Sequence, residues 1–459
     1  MKRLSLLSLL SLLSVLALPL TAEAGKLDPN TCVAGGSASY RQGFTPWTPG
    51  SPGRAMLRHT LTGTNARCND GSPGVMYLRP APAGSMNADK WVIHFDGGGG
   101  CRSEEECLAR WCGLGTHSFD QASKMSSLGA PEGLAVQGGI LNEVGGGPFS
   151  DYNHVLLHYC SSDNWVGSGP LGVPVDPDTG LPLLNDIEFE GEAIVADAMA
   201  TLRAGSTFAD PLAAARFYNV PMPDLDAATR VLITGDSAGG GGARHHVDRI
   251  AGQLAAETIL VVDAGFAPAF YKANIPWNAV NPANPYVDYI DMMTSEQEPV
   301  ARGLWSVDDS ALDQSCLATA PASPELYCLD TDWVLENHIT TPFFVQQDLA
   351  DPLAMPRYAA WSIFASAFDY AVATFDQLVD VQTGGVEARA KDPGVLGLHC
   401  NNHTTSRETV KFTTWRVTGL AGSQAFQDLL DAWITGATGL DNLQTDNPAV
   451  AGYSASFCP

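Results

Sequence analysis

The chain has 459 residues, 45% of them hydrophobic and only 16% charged, which excludes a disordered or coiled-coil protein and gives ample length to bury a core. Lys and Arg number 25 against 50 Asp and Glu, a net charge of −25. An anion of that size is repelled by nucleic-acid backbones and anionic membrane surfaces, so neither is an expected partner.

In chain order, residues 1–24 read as a secretory signal peptide. Lys2 and Arg3 form a charged start, Leu4 to Leu20 is a Leu/Ser apolar stretch, and Ala22-Glu23-Ala24 is a small-x-small cleavage site. No Cys lies immediately after the site, which argues against a lipid anchor. No later apolar run is long enough to span a bilayer, so the mature form is expected to lack a membrane span. Residues 25–459 are expected to be one domain, exported to the periplasm or secreted. They carry ten cysteines: Cys32, Cys68, Cys101, Cys107, Cys112, Cys160, Cys316, Cys328, Cys400 and Cys458. An even number in an exported chain reads as disulfides. Spacing does not fix the connectivity, though proximity favours Cys101–Cys107 and Cys316–Cys328.

Short apolar runs then alternate with helical patterns. Trp91–Phe95 runs into Asp96 and four glycines, and Val155–Tyr159 into Cys160-Ser161-Ser162-Asp163. Pro170–Pro182 reads as a surface loop. Phe189–Arg203 has an apolar stripe at helical spacing. Arg230–Thr234 runs into Gly235, and Gly241–Ala255 is again helical. Thr258–Val262 runs into Asp263, and Ala273–Tyr289, rich in Pro and Asn, is a long loop or a lid. Pro342–Val345 precedes Asp348 and Asp351, and Ser423–Ile434 is a final helix. Such apolar runs fit buried parallel strands, and the alternation predicts an α/β sheet with helices on both faces.

Gly235-Asp236-Ser237-Ala238-Gly239 fits G-x-S-x-G. A strand enters it and a helix leaves, which is the context a nucleophile elbow requires, and the crowded turn demands small neighbours such as Ala238 to Gly242. A serine hydroxyl needs a base, and the base needs an orienting acid. In this architecture the order is Ser, acid, His, which leaves His399 and His403. His403 lies in a polar loop and is preferred, with His399 second. For the acid, the room to turn after Pro342–Val345 favours Asp351 over Asp348. Asp263 follows too early a strand and is given a structural or substrate-facing role. The oxyanion donors are expected from Ala238 and from the loop Gly97–Gly100, where bare backbone approaches a substrate oxygen closely. No Gly-Lys-Ser/Thr or dinucleotide fingerprint accompanies that loop. His245-His246 and His399/His403 lack a His-Glu-x-x-His pattern, so no metal is expected.

Four blocks carry more than this motif. They are Cys68–Arg79 (CNDGSPGVMYLR), Phe95–Cys101 (FDGGGGC), Tyr159–Gly167 (YCSSDNWVG) and Thr234–Leu254 (TGDSAGGGGARHHVDRIAGQL). With the Cys400-x-x-His403 spacing, they resemble the pectin acetylesterase/Notum family of carboxylesterases over roughly residues 60 to 420. The resemblance implies a disulfide-stabilised, α/β-hydrolase-like domain without cofactor or metal. Ser237 would be the nucleophile, His403 the base and Asp351 the acid, with oxyanion donors Gly98, Gly99 and Ala238. It also implies disulfides Cys68–Cys160 and Cys101–Cys107, and a bond from Cys400 to a late cysteine such as Cys458. Two departures are Asp96, where the family usually has Glu, and Gly99-Gly100, where it usually has Trp and where a reshaped acyl pocket is implied. The implied substrate is an ester, foremost an O-acetyl ester on a polysaccharide such as pectin. The alternatives are a longer acyl ester on lipid or protein, and a non-catalytic carbohydrate-binding protein on a hydrolase scaffold.

Overall fold

A computed structural model describes residues 32, 45–48, 51–114, 121–135, 137–169, 187–205, 223–266, 303–319, 328–329, 331–354, 366–384, 386, 389–417, 423–437 and 442–448. The expected signal peptide and the segments Pro170–Pro182 and Ala273–Tyr289 lie outside these residues.

Among the described residues ten strands form one sheet: β1 (Met56–Thr60), β2 (Val75–Arg79), β3 (Lys90–Phe95), β4 (Gly133–Leu134), β5 (Asn153–Leu157), β6 (Arg230–Asp236), β7 (Glu257–Asp263), β8 (Phe343–Asp348), β9 (Gly394–Leu398) and β10 (Leu443–Thr445). Their order is β10-β9-β8-β7-β6-β3-β5-β2-β1-β4. From β10 across to β5 every pairing is parallel, and β2, β1 and β4 extend that edge antiparallel. The sequence reading holds for the parallel centre, where strands buried on both faces are continuous apolar runs. It lacks β1, β2, β4, β9 and β10. In β9 two glycines break the apolar pattern because Gly394 must pass under Phe344: a Cβ there would fall 2.3 Å from the ring.

Helices cover both faces. On one lie α1 (Glu104–Trp111), α2 (Gly191–Arg203), α3 (Ala238–Ala251) and α4 (Ala367–Thr383), packed on Trp91, Ile93, Phe95, Val231, Ile233, Leu260 and Val262. On the other, α5 (Thr409–Thr414) and α6 (Phe426–Thr435) bring Phe412, Phe426, Leu429 and Trp433 against Val92, Leu232, Ile259 and Phe344. Alternate residues of each central strand therefore feed two separate cores, as the two-residue period of a strand requires. The 17-residue α4 is absent from the sequence reading because its buried stripe includes Ala371, Ala373, Thr374 and Gln377, too polar and small to mark a hydrophobic face.

Disulfides join Cys68–Cys160, Cys101–Cys107 and Cys316–Cys328, all three expected, and Cys32–Cys112, which spacing did not indicate. Cys400 is disulfide-bonded as well, and Cys458, its expected partner, lies outside the described residues. Among the described residues no helix is long and apolar enough to cross a membrane.

Successive parallel strands diverge at one point. From β3 the chain passes to β5 on one side and then crosses to β6 on the other. The loops after β3 and β6 consequently open side by side at the carboxyl end of the sheet, the place where such sheets form binding crevices.

Candidate active site

Strand β6 ends at Asp236, and Ser237 turns the chain sharply into α3 with φ 54° and ψ −124°. A non-glycine residue at positive φ costs of order 1–3 kcal/mol and persists only where its surroundings over-determine it. Here they do. The Ser237 N–H donates to the Asp263 carbonyl at 2.8 Å. A Cβ on Gly239 would fall 2.0 Å from the Phe95 carbonyl oxygen, so α3 begins pressed on the end of β3. This explains why α3 starts at Ala238, three residues before the sequence reading. Glycines are poor helix formers, but packing rather than propensity selects them here.

His403 Nε2 lies 2.7 Å from Ser237 Oγ, and its Nδ1 lies 2.8 and 3.0 Å from the two oxygens of Asp351. Asp351 is fully buried. Its Oδ1 accepts the N–H groups of Leu353 and Ala354 at 2.8 and 3.1 Å, and its Oδ2 accepts Gln347 Nε2 at 3.0 Å. Burial works against a charged imidazole at His403, but the hydrogen bond and charge of Asp351, helped by Asp263 and Asp236, outweigh it and raise the pKa above the ordinary value. An imidazole placed so has the geometry to take a proton from a serine hydroxyl with a carboxylate behind it to balance the charge.

The other two acids support the histidine loop. Asp348 closes strand β8 and bonds Asn402 instead, accepting Asn402 Nδ2 at 2.6 Å and Gln346 Nε2 at 3.0 Å. Burial pushes its pKa well up. Asp263 Oδ2 accepts the N–H groups of Thr405 and Ser406 at 2.9 and 2.6 Å, and burial pushes it up to about 7. Its role is thus to hold the loop that carries His403. The imidazole on Ser237 Oγ is that of His403 and not of His399, whose backbone N–H donates to Asp446 Oδ2 at 2.8 Å.

Across the crevice, Gly98 and Gly99 have φ of 148° and 65°, conformations that L side chains rarely adopt. Among the described residues no acceptor takes the N–H of Gly98, Gly99 or Ala238, whereas the N–H of Gly97 goes to Asp236 Oδ1 at 3.2 Å. The Gly98 carbonyl is drawn back by Arg110 Nη2 at 2.6 Å, and the Gly97 carbonyl by Lys124 Nζ at 2.9 Å. N–H groups without an internal acceptor are what an oxyanion site requires. The block Tyr159–Gly167 lies beneath: Trp165 Nε1 donates to the Asp96 carbonyl at 3.2 Å, and Ser162 accepts from Cys101 N–H at 3.2 Å. Where the family's usual Trp is absent, Trp305 from a distant segment stands 3.3 Å from the Cβ position of Gly100 and donates to the Cys101 carbonyl at 2.9 Å.

The remaining histidine pair is engaged in packing. His246 Nε2 meets the Trp165 carbonyl at 2.7 Å and its Nδ1 meets Arg249 at 2.7 Å; burial lowers its pKa to about 3. Among the described residues no group of three His, Cys, Asp or Glu side chains is arranged to hold a metal ion. Sequence reasoning missed Gln347, Asn402, Lys124 and Arg407. Gln347 and Asn402 adjoin residues it did select; Lys124 and Arg407 had no local signal, because only folding brings them to Asp96 and Asp236.

Comparisons with known proteins agree with this picture. The Pectinacetylesterase family model matches residues 54–210. The chain is 28% identical over 310 residues to palmitoleoyl-protein carboxylesterase NOTUM of Drosophila melanogaster, covering 67% of this chain and 39% of that protein. It is 26% identical over 239 residues to the Homo sapiens protein of the same name, covering 52% and 40%. The match thus spans about two-fifths of those relatives' own length. A solved structure of the Wnt deacylase Notum from Drosophila superposes with a TM-score of 0.59 at 22% identity, covering 86% of this chain and 97% of that one, and shares the α/β-hydrolase-like fold. These matches bear out the resemblance to the pectin acetylesterase/Notum family carried by the four sequence blocks.

Proposed function

We propose that this chain is an exported serine carboxylesterase, processed after residue 24 to one catalytic domain over residues 25–459. The observation that carries the reading is the continuous hydrogen-bonded line from Ser237 Oγ through His403 to buried Asp351. Ser237 attacks an ester carbonyl as His403 Nε2 removes its proton. The oxyanion rests on the N–H groups of Gly98, Gly99 and Ala238. His403 then gives the proton to the leaving alcohol, and a water activated by the same imidazole releases the acid from the acyl-enzyme. The disulfides and the leader-like start of the chain support export.

The substrate proposed first is an O-acetyl ester on a neutral or partly esterified polysaccharide, because the net charge of −25 disfavours a highly charged polyanion. The second reading is a longer acyl ester, favoured by the palmitoleoyl-protein carboxylesterases among the relatives. Hydrolysis of p-nitrophenyl esters from acetate to palmitate, beside Ser237→Ala, separates them. Rates that fade with chain length support the acetylesterase, a maximum at long chains supports the deacylase, and mutant activity equal to wild type sinks the serine mechanism.

A further inference from the structure

Arg407 has no part in the proton path just described, yet it bridges the residues that precede the glycine loop and Ser237. It lies four residues beyond His403. Its Nη1 donates to Asp96 Oδ1 at 2.9 Å and stands 3.6 Å from Asp236 Oδ1, while Nη2 donates to Gln137 Oε1 at 2.8 Å. Asp96 immediately precedes the loop Gly97–Gly100, and Asp236 immediately precedes Ser237. Resting on the serine-esterase reading, we propose that Arg407 is a positioning residue that sets the oxyanion loop against Ser237 through Asp96 and Asp236.

The root of the side chain is fixed from two sides. Thr405 and Ser406 donate their N–H groups to Asp263, and the Ser406 carbonyl accepts from Ile140 N–H at 2.8 Å. The chain passes so close over Gly139 that a Cβ there would fall 1.6 Å from that carbonyl oxygen. The far end is equally constrained. Asp236 Oδ1 also meets His94 Nε2 at 2.7 Å and the N–H of Gly97, the first residue of the oxyanion loop. Asp96 takes Lys124 on its other oxygen. Two carboxylates, each with only 13% of the side chain exposed, are thus balanced by two cations. Removing one cation leaves a nearly buried anion unpaired, and relief comes only by moving Asp96 or Asp236, which moves the glycine loop or the Ser237 turn. A lysine keeps the charge but not the planar fork that reaches Asp96, Asp236 and Gln137 together.

Because Arg407 acts on donors that meet the oxyanion, its loss falls on the transition state and hence on kcat rather than KM. The test is Arg407→Lys, assayed on p-nitrophenyl acetate. A misplaced oxyanion donor costs about 10–100-fold in kcat, with KM within about two-fold. The fold is retained, with Tm within about 3 °C of wild type. Should Arg407→Lys fail to fold, Asp236→Asn carries the test: it removes the charge Arg407 faces at constant size and gives the same kcat loss. In the double variant the two losses do not multiply, because both break one linkage. A folded Arg407→Lys enzyme with wild-type kcat, a loss confined to KM, or losses that multiply overturns the proposal. Failure of a fluorophosphonate to label wild-type Ser237 overturns the esterase reading itself; labelling with undiminished Arg407→Lys turnover overturns only the role of Arg407.

Discussion

Replacing Asp351 by Asn tests the acid assignment with an outcome that the surrounding hydrogen bonds dictate. Oδ1 of Asp351 accepts two backbone N–H groups, from Leu353 and Ala354, so the asparagine must keep its carbonyl oxygen there. Its amide NH2 then takes the Oδ2 position, facing His403 Nδ1 and Gln347 Nε2. At the nearer Oδ2 contact two donors cannot meet, and the Oδ1 position, 3.0 Å from Nδ1, already accepts two N–H groups, so His403 accepts at Nδ1 and carries its proton on Nε2, where it confronts Ser237 and cannot act as base. The corresponding tautomer trap in the serine proteases costs about 10⁴ in kcat, roughly 5 kcal/mol of barrier, and a loss of about 10³–10⁴ is expected here. Asp348→Asn is the matched control. Asp348 bonds Asn402 and Gln346 rather than His403, and burial already favours its neutral form, so a loss below about 10-fold is expected. Steady-state hydrolysis of p-nitrophenyl acetate by both purified variants, with circular dichroism to verify folding, decides the matter. Equal losses in the two variants, or a loss below about 10-fold in Asp351→Asn, would refute the reasoning.

Three further outcomes follow. The rate kcat/KM needs neutral His403, so it falls as pH drops, with a midpoint above the ordinary histidine value because Asp351 raises this pKa; in the residual activity of Asp351→Asn the midpoint moves to lower pH. Buried His158 has its pKa lowered to about 4, by burial first and then by Lys124. From the unperturbed value near 6.5 down to about 4, the unfolded chain gains a proton that the folded chain refuses, so stability is lost as pH falls through that window; His158→Gln, which still reaches the Ser126 carbonyl, removes about 2 kcal/mol of that loss in urea titrations at pH 7 and pH 4.5. The Cys68–Cys160 bond closes a loop with a sequence separation of 92, so a Cys68→Ala/Cys160→Ala variant loses about 4–5 kcal/mol by the chain-entropy model, read as a lower denaturant midpoint.

The parts legible in the sequence are those with local causes. Strands β3, β6, β7 and β8 appear as apolar runs because both their faces are buried, and the Ser237 turn appears because its crowding admits only small residues. Loop polarity and room to turn favour His403 and Asp351 over His399 and Asp348, and in the structure that pair lies in line with Ser237. Residues with non-local causes stayed hidden. Arg407 reaches carboxylates more than 170 positions away, and β1, in which only Met56 and Leu57 are apolar, pairs with β2 at an antiparallel edge. Asp263 was noticed for its place after a strand, but its task of holding Thr405 and Ser406 needs the fold to be seen.

The central claim is that the hydroxyl of Ser237 is activated by His403. Treating wild type, Ser237→Ala and His403→Ala with a fluorophosphonate, then mapping the adduct by peptide mass spectrometry, tests it most directly. The account predicts one adduct on Ser237 in wild type, none in Ser237→Ala, and labelling slowed by about 10³-fold or more in His403→Ala. An adduct on another residue, or labelling of Ser237 at the wild-type rate without His403, would contradict it.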